Sequence, residues 1–419
     1  MTTRRAFASG LAALPLLPAL ASCADESQAG TPADLIVWHG YRGREKAALE
    51  LVAKTWNDRL QPGGRRVRTV AVPADAMPDK LSASVPRGRG PDVFIFSHDR
   101  LGGWVEAGGT VEPVGFFVEA ADRTRFLPGM LDAMTYKDTL YALPLNYKSI
   151  ALIYNKALVP TPPTTTNELV RVAKGLTDQA RGRFGLAYAY DDYFFHAALQ
   201  NGFGGGVFGP DGAPILDAVG NVQAGELLQR WKEVDGILPR DPTASLITNL
   251  FNAGRAAMVF TGPWFLGEVA AGIDYGVAVL PGLSEAGGAP MRPWLSVEAV
   301  FLSAGKPHPK DAYDFAAFLT GAEGGAIMAR EGGQLPAAAG AYADPAVAAD
   351  PVVAAFRAQA ANGVAMPNIP NMTLVWSPAD KAIKRIARSE ATPQAALADL
   401  QREVVGAIDA LQASSRRRN

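Results

Sequence analysis

An α/β protein of two lobes with a ligand cleft between them is predicted by three features of the 419-residue sequence. Strand and helix patterns alternate from Leu35 onward, which implies parallel sheet covered by helices. In mid-chain, residues 141–156 follow a polar hairpin signal (Tyr136, Lys137, Asp138, Thr139) and pass Pro144. They end in an unbroken apolar run, 150–154. Such a run suits a strand buried on both faces. A proline-rich break at Pro160, Pro162 and Pro163 follows, and then a second alternating series begins. The 141–156 stretch therefore reads as a crossover between lobes, with Asn146, Tyr147 and Lys148 exposed at the junction. A cleft between lobes is a favoured ligand position.

Taken in order, residues 35–38 form a first strand, followed by a turn holding Tyr41 and Arg42. Leu49, Val52, Ala53, Trp56 and Leu60 lie at helical spacing. Residues 67–72 form a second strand and 78–85 a short helix. A buried strand at 93–96 then runs into Ser97, His98, Asp99 and Arg100. In parallel sheets ligands bind beyond the carboxyl ends of strands, where Tyr41, Arg42, Asp99 and Arg100 fall. Past the crossover, Thr165 and Glu168 have capping-box spacing before a helix through Leu176. A strand at 184–190 leads through Asp191, Asp192 and Tyr193 into a helix, and 215–236 is mainly helical. A strand at 256–260 ends in a Gly-Pro turn, with a helix opening at Trp264. Residues 275–280 are a strand, 284–293 a glycine-rich connector and 309–319 an amphipathic helix. Two helices close the chain.

The N-terminus reads as a processing segment rather than as fold. Arg4 and Arg5 precede an apolar stretch, 11–20, too short for a comfortable membrane span. It ends in Leu20-Ala21-Ser22-Cys23, which resembles a bacterial lipobox whose cysteine is lipidated. Residues 3–7 also resemble a twin-arginine signal, leaving the export route open. Residues 1–23 are thus expected to be a lipoprotein signal peptide, 24–34 a flexible tether and 413–419 a frayed basic tail. Cys23 is the only cysteine, so no disulfide forms within the chain.

A net charge of −1 gives no polyanion-binding surface, and 48% hydrophobic against 19% charged residues excludes a disordered chain. The four histidines lack metal-ligand spacing, and no nucleophile elbow, phosphate loop or dinucleotide fingerprint occurs. No cofactor is expected. Asp99, Asp191 and Asp192 could form an acid–base pair for glycoside hydrolysis, or could be exposed hydrogen-bonding carboxylates. What recurs is aromatic rings beside charged groups: Phe96 near Asp99 and Arg100, Tyr193 near Asp191, and Trp264 and Trp376 at strand ends or after prolines. A pyranose has an apolar face that stacks on a ring and a hydroxyl edge that hydrogen-bonds to charged partners.

Five segments, PDVFIFSHDRLGGW (91–104), IALIYNKALVPTPPTT (150–165), FNAGRAAMVFTGPW (251–264), IDYGVAVLPG (273–282) and MPNIPNM (366–372), resemble, in the family's order, the extracellular solute-binding proteins of ABC sugar importers. The maltose/maltodextrin-binding branch is the nearest. The resemblance spans nearly all of 35–410. It implies a periplasmic-binding-protein-like fold joined by a three-crossing hinge, with an N-lobe of 35–146 plus 296–345 and a C-lobe of 149–291 plus 351–412. It also implies a monomer that delivers a carbohydrate to permease subunits. By position, Asp99 and Arg100 match sugar-hydroxyl partners, and Phe96 stands at a tryptophan position. Arg42 matches a basic residue, and Tyr41 replaces an acidic one. Asp191 and Tyr193 match a glutamate and a stacking tyrosine. Trp264 and Trp376 match stacking tryptophans, and Met366 a pocket-lining methionine. Three positions depart: Lys148 replaces a ligand-binding glutamate, Ser377 a tyrosine and Asp380 an arginine. Lys148 is expected to reach a sugar, or to pair with Asp99 or Asp191. The departures leave the ligand open among maltodextrins, other sugars, polyols and anionic glycans; a sensory role and, from another class, a glycoside-acting enzyme remain as alternatives.

Overall fold

The computed structural model describes residues 34–416 apart from 75 and 241. The Cys23 lipidation signal, nearly all of the tether and residues 417–419 lie outside the described residues. The last helix, Pro393–Arg416, runs through residues 413–416 of the expected tail.

Among the described residues, the first sheet opens on strand Leu35–His39, parallel to both Val67–Ala71 and Val93–Ser97. That is the parallel unit the alternating pattern implies. The sheet is mixed, however, because strand Trp294–Ser303 inserts antiparallel between Val93–Ser97 and Ala142–Lys148. Its core stacks Phe94 on Phe301 at 5.0 Å, with Trp104 edge-on to both at 5.3 and 5.4 Å. The second sheet has the order Tyr275–Ala278, Ala151–Asn155, Ala256–Thr261, Phe184–Tyr188. Tyr188, Trp231 and Phe260 lie together in its core.

The chain passes between the sheets three times. The 141–156 stretch is two strands, one per sheet, broken at Ser149 and Ile150. The expectation of exposed Asn146 and Tyr147 is corrected: both are fully buried, Asn146 against the Tyr41 hydroxyl and Tyr147 against the Tyr342 hydroxyl. The return runs from Ala278 to Trp294. The third passage follows helix Pro351–Ala360, which joins both halves. Its Phe356 lies in the first core, while Gln359 Oε1 accepts the Leu280 amide at 2.7 Å. Beyond it, Gly102 N–H donates to the Asn368 carbonyl at 2.8 Å, and a Cβ at Gly102 would lie 2.3 Å from that oxygen. Only glycine admits this approach.

Local signals hold where they are chemical. Lys137 and Asp138 take positive φ of 47° and 60° between two short paired strands, as a primed hairpin turn requires. Thr165 Oγ1 accepts the Glu168 amide, and Glu168 reaches back to the Thr164 amide and hydroxyl.

Three histidines are buried in neutral form. Burial lowers the pKa of His39 and His98, and pushes that of His196 down to about 4. Native His196 stays neutral while the unfolded side chain takes up a proton near its ordinary value. Between those values the unfolded state therefore binds more protons, and stability falls with pH. We predict a loss of roughly 3 kcal/mol from His196 alone as the pH drops from about 6.5 to 4. Urea titrations across that range check it; a His196→Gln variant should show a shallower slope.

Candidate functional site

Two cavities meet at one tryptophan. The first, of about 540 Å³, lies between the halves, with Glu45, Lys148 and Gln334 on one wall and Trp264 and Tyr275 on the other. The second, of about 490 Å³, lies in the C-terminal half and is lined by Asp191, Asp192, Phe195, Trp264, Asp380 and Lys384, among others. Both volumes suit small-molecule ligands. Trp264 is 44% exposed. It sits in a 3-10 turn, Pro263–Glu268, rather than at the opening of the α-helix the sequence suggests. Its ring folds back over Gly262, where any Cβ would meet it at 2.1 Å. Phe194 and Phe195 flank it at 6.2 and 6.4 Å.

The N-terminal wall is a hydrogen-bonded chain that begins on the crossover strand. Asn146 Nδ2 donates to the Tyr41 hydroxyl at 3.2 Å, and Tyr41 donates to Glu298 Oε2 at 2.8 Å. The Lys148 ammonium donates to Glu298 Oε1 at 3.0 Å and lies 3.9 Å from Glu45. Gln334 Nε2 donates to Glu45 at 2.7 Å. The expected pairing of Lys148 with Asp99 or Asp191 is therefore corrected. Its partner Glu298 comes from a strand that sequence reasoning missed, although a lone glutamate inside the apolar run 297–302 is the signal that could have found it. Glu298 raises the Lys148 pKa, so the ammonium stays charged. Burial, reinforced by Glu298, holds the Tyr41 phenol far above its ordinary value. Tyr41 is buried and its hydroxyl committed, which makes it a support rather than an open contact.

The other predicted residues divide. Asp191 lines the second cavity with Asp380 and Asp192; burial raises the Asp192 pKa against its helix-capping bond to the Phe194 amide. Trp376 is half-buried, edge-on to Trp294 at 5.2 Å. Tyr193 is corrected as a stacking surface: it is fully buried, edge-on to Trp294 at 5.1 Å, and its amide donates to Asp380. Met366 is likewise buried rather than lining a cavity, and its carbonyl accepts from His98 Nε2 at 3.0 Å. Because the Val297 amide donates to His98 Nδ1, that ring carries its proton on Nε2. Asp99 and Arg100 make a loose ion pair at 3.8 Å beyond the end of their strand. Asp99 lines neither cavity, so it shares no walled space with Asp191. Phe96 is half-buried against Trp104, and Arg42 is exposed at the head of helix Gly43–Asn57. Among the described residues, no His, Cys, Asp and Glu group could hold a metal ion.

Comparison with known proteins agrees with this architecture. The chain is 30% identical over 380 residues to the maltotriose-binding protein of Pyrococcus abyssi, covering 88% of this chain and 82% of the relative. It is 28% identical over 359 residues to the galactooligosaccharide-binding protein of Bacillus subtilis, covering 82% and 83%. Among solved structures, a cyclo/maltodextrin-binding protein complexed with maltotetraose superposes with a TM-score of 0.82 at 31% identity, over 91% of this chain and 98% of that one. The maltotriose-binding protein of Thermus thermophilus, bound with maltotriose, gives 0.75 at 28% identity, over 90% and 100%. Residues 41–326 match the family described as bacterial extracellular solute-binding protein, and with these relatives of like length and fold, the chain belongs to that family.

Proposed function

We propose that the protein captures an uncharged oligosaccharide of the maltodextrin class between its lobes and delivers it to the permease of an ABC importer. The observation that carries this reading is Trp264, a half-exposed ring set between two cavities that carboxylates also line. It offers one surface for a sugar's C–H face, with acceptors beside it for the hydroxyl edge. Binding requires only that the sugar favour the closed arrangement of the lobes, which then presents a distinct surface to the permease. The relatives bind maltotriose, maltotetraose or galactooligosaccharides. Lys148 and Arg42 give an anionic ligand little support, because Lys148 is held by two glutamates and Arg42 lines neither cavity. A binding role rather than glycoside turnover fits the family. We place the mature protein outside the cytoplasm as a monomer, anchored by lipid at Cys23.

Calorimetric titration of the protein with maltose, maltotriose and a galactooligosaccharide tests this. Saturable binding to a maltodextrin is the expected result; a micromolar constant corresponds to about −8 kcal/mol. Heat from the galactooligosaccharide alone would move the ligand class, and silence with every sugar would end the reading.

A further inference from the structure

We propose that Glu298 is a specificity-determining positioning residue: by holding the Lys148 ammonium on the N-terminal wall of the cleft, it makes the site take uncharged sugars and refuse anionic ones. This rests on the oligosaccharide reading above.

The strand register sets the pair. Ser296 lies opposite Lys148 and Glu298 opposite Asn146, so Lys148 and Glu298 are diagonal neighbours on one sheet face. Glu298 cannot swing away cheaply, since its second oxygen is held by Tyr41, itself 4% exposed and held by fully buried Asn146. Lys148 thus faces two carboxylates, Glu298 and Glu45, and the three groups together carry one net negative charge.

The other cations on the same cavity wall differ in how they are held. Arg330 pairs with Asp344, and Arg44 Nε donates to the Glu331 carbonyl at 3.1 Å. An anionic ligand would therefore find Lys148 and Arg330 already paired with carboxylates, and only Arg44 without one. To recruit Lys148 it would have to break the pair and leave Glu298 charged and largely buried, a costly exchange. A sugar hydroxyl makes no such demand. It can accept from a spare ammonium proton, or donate to Glu45, with the pair intact.

The test is calorimetric, with maltotriose and maltose as neutral probes, and maltotrionic acid and 6′-phosphomaltose as anionic ones that carry their charge at opposite ends. The wild-type protein is expected to bind each neutral sugar at least about tenfold more tightly than its anionic counterpart. Glu298→Gln keeps the shape but removes the charge that holds Lys148, and should narrow that ratio about tenfold. Glu45→Gln, on a partly exposed side chain at the longer distance, should narrow it about threefold and decides the matter if the first variant does not fold. Equal wild-type affinity for neutral and anionic sugars overturns the proposal, as does a ratio unmoved in both variants. Failure of the wild-type protein to bind any of the four sugars is a different result, and overturns the oligosaccharide reading as well.

Discussion

Replacing Trp264 with alanine is expected to weaken oligosaccharide binding by about 2–3 kcal/mol, a factor of about 30 to 150, while lowering stability by only about 1–2 kcal/mol. The two halves of that expectation have different causes. Trp264 is 44% exposed, so its removal costs the fold less buried area than the loss of a fully buried tryptophan would. The ring is, however, the wall common to both cavities, and Phe194 and Phe195 hold its position. A sugar bound there would lose its stacking surface and gain water in its place. Trp264→Phe should recover much of the affinity, since a smaller ring still offers a face. Calorimetry on the two variants beside a thermal melt separates binding from folding. Undiminished affinity in the alanine variant would mean that the ligand lies elsewhere.

The largest effect on stability is expected at Trp294. This ring is 1% exposed, where the chain returns to the first sheet, and lies within 5.1 to 6.2 Å of Tyr193, Trp376 and Phe194. Trp294→Ala should cost about 3–5 kcal/mol, the sum of lost transfer energy and the cavity left behind. The backbone at Trp294 pairs with Val364 on the third passage, so the loss falls on two of the three connections between the lobes. Urea denaturation measures it through the shift in midpoint. Because Trp294 also backs Trp376 and Phe194, sugar affinity should fall in the same variant. A stability loss below 1 kcal/mol would mean that this aromatic cluster repacks freely.

How much of this was legible depended on whether the cause was local. The turn at Lys137 and Asp138, the Thr165–Glu168 cap and the polar ends of the parallel strands are written in neighbouring residues. Trp264 follows a Gly-Pro turn, and its ring folds back over Gly262. Glu298 was not legible, because its partners Lys148 and Tyr41 lie 150 and 257 positions away. Only the insertion of strand Trp294–Ser303 between two others brings them together. For the same reason Asn146 and Tyr147 read as exposed: nothing nearby in the chain covers them.

Tyr193 shows a different limit. In helix Tyr193–Gly202, residues two apart point about 200° from each other. Tyr193 turns into the core while Phe195 lines the second cavity. A role carried over by position cannot register that rotation. Asp380 has a clear local role, since its carboxylate accepts the Tyr193 amide at 2.8 Å and so fixes the start of that helix.

The most direct test of the central claim is a crystal structure of the protein grown with maltotriose. The account predicts a pyranose ring packed face-on against Trp264, within about 4 Å, with hydroxyls in hydrogen-bond reach of Glu45 or Asp191 and the Lys148–Glu298 pair intact. A sugar bound away from Trp264, with that ring left bare, would contradict it.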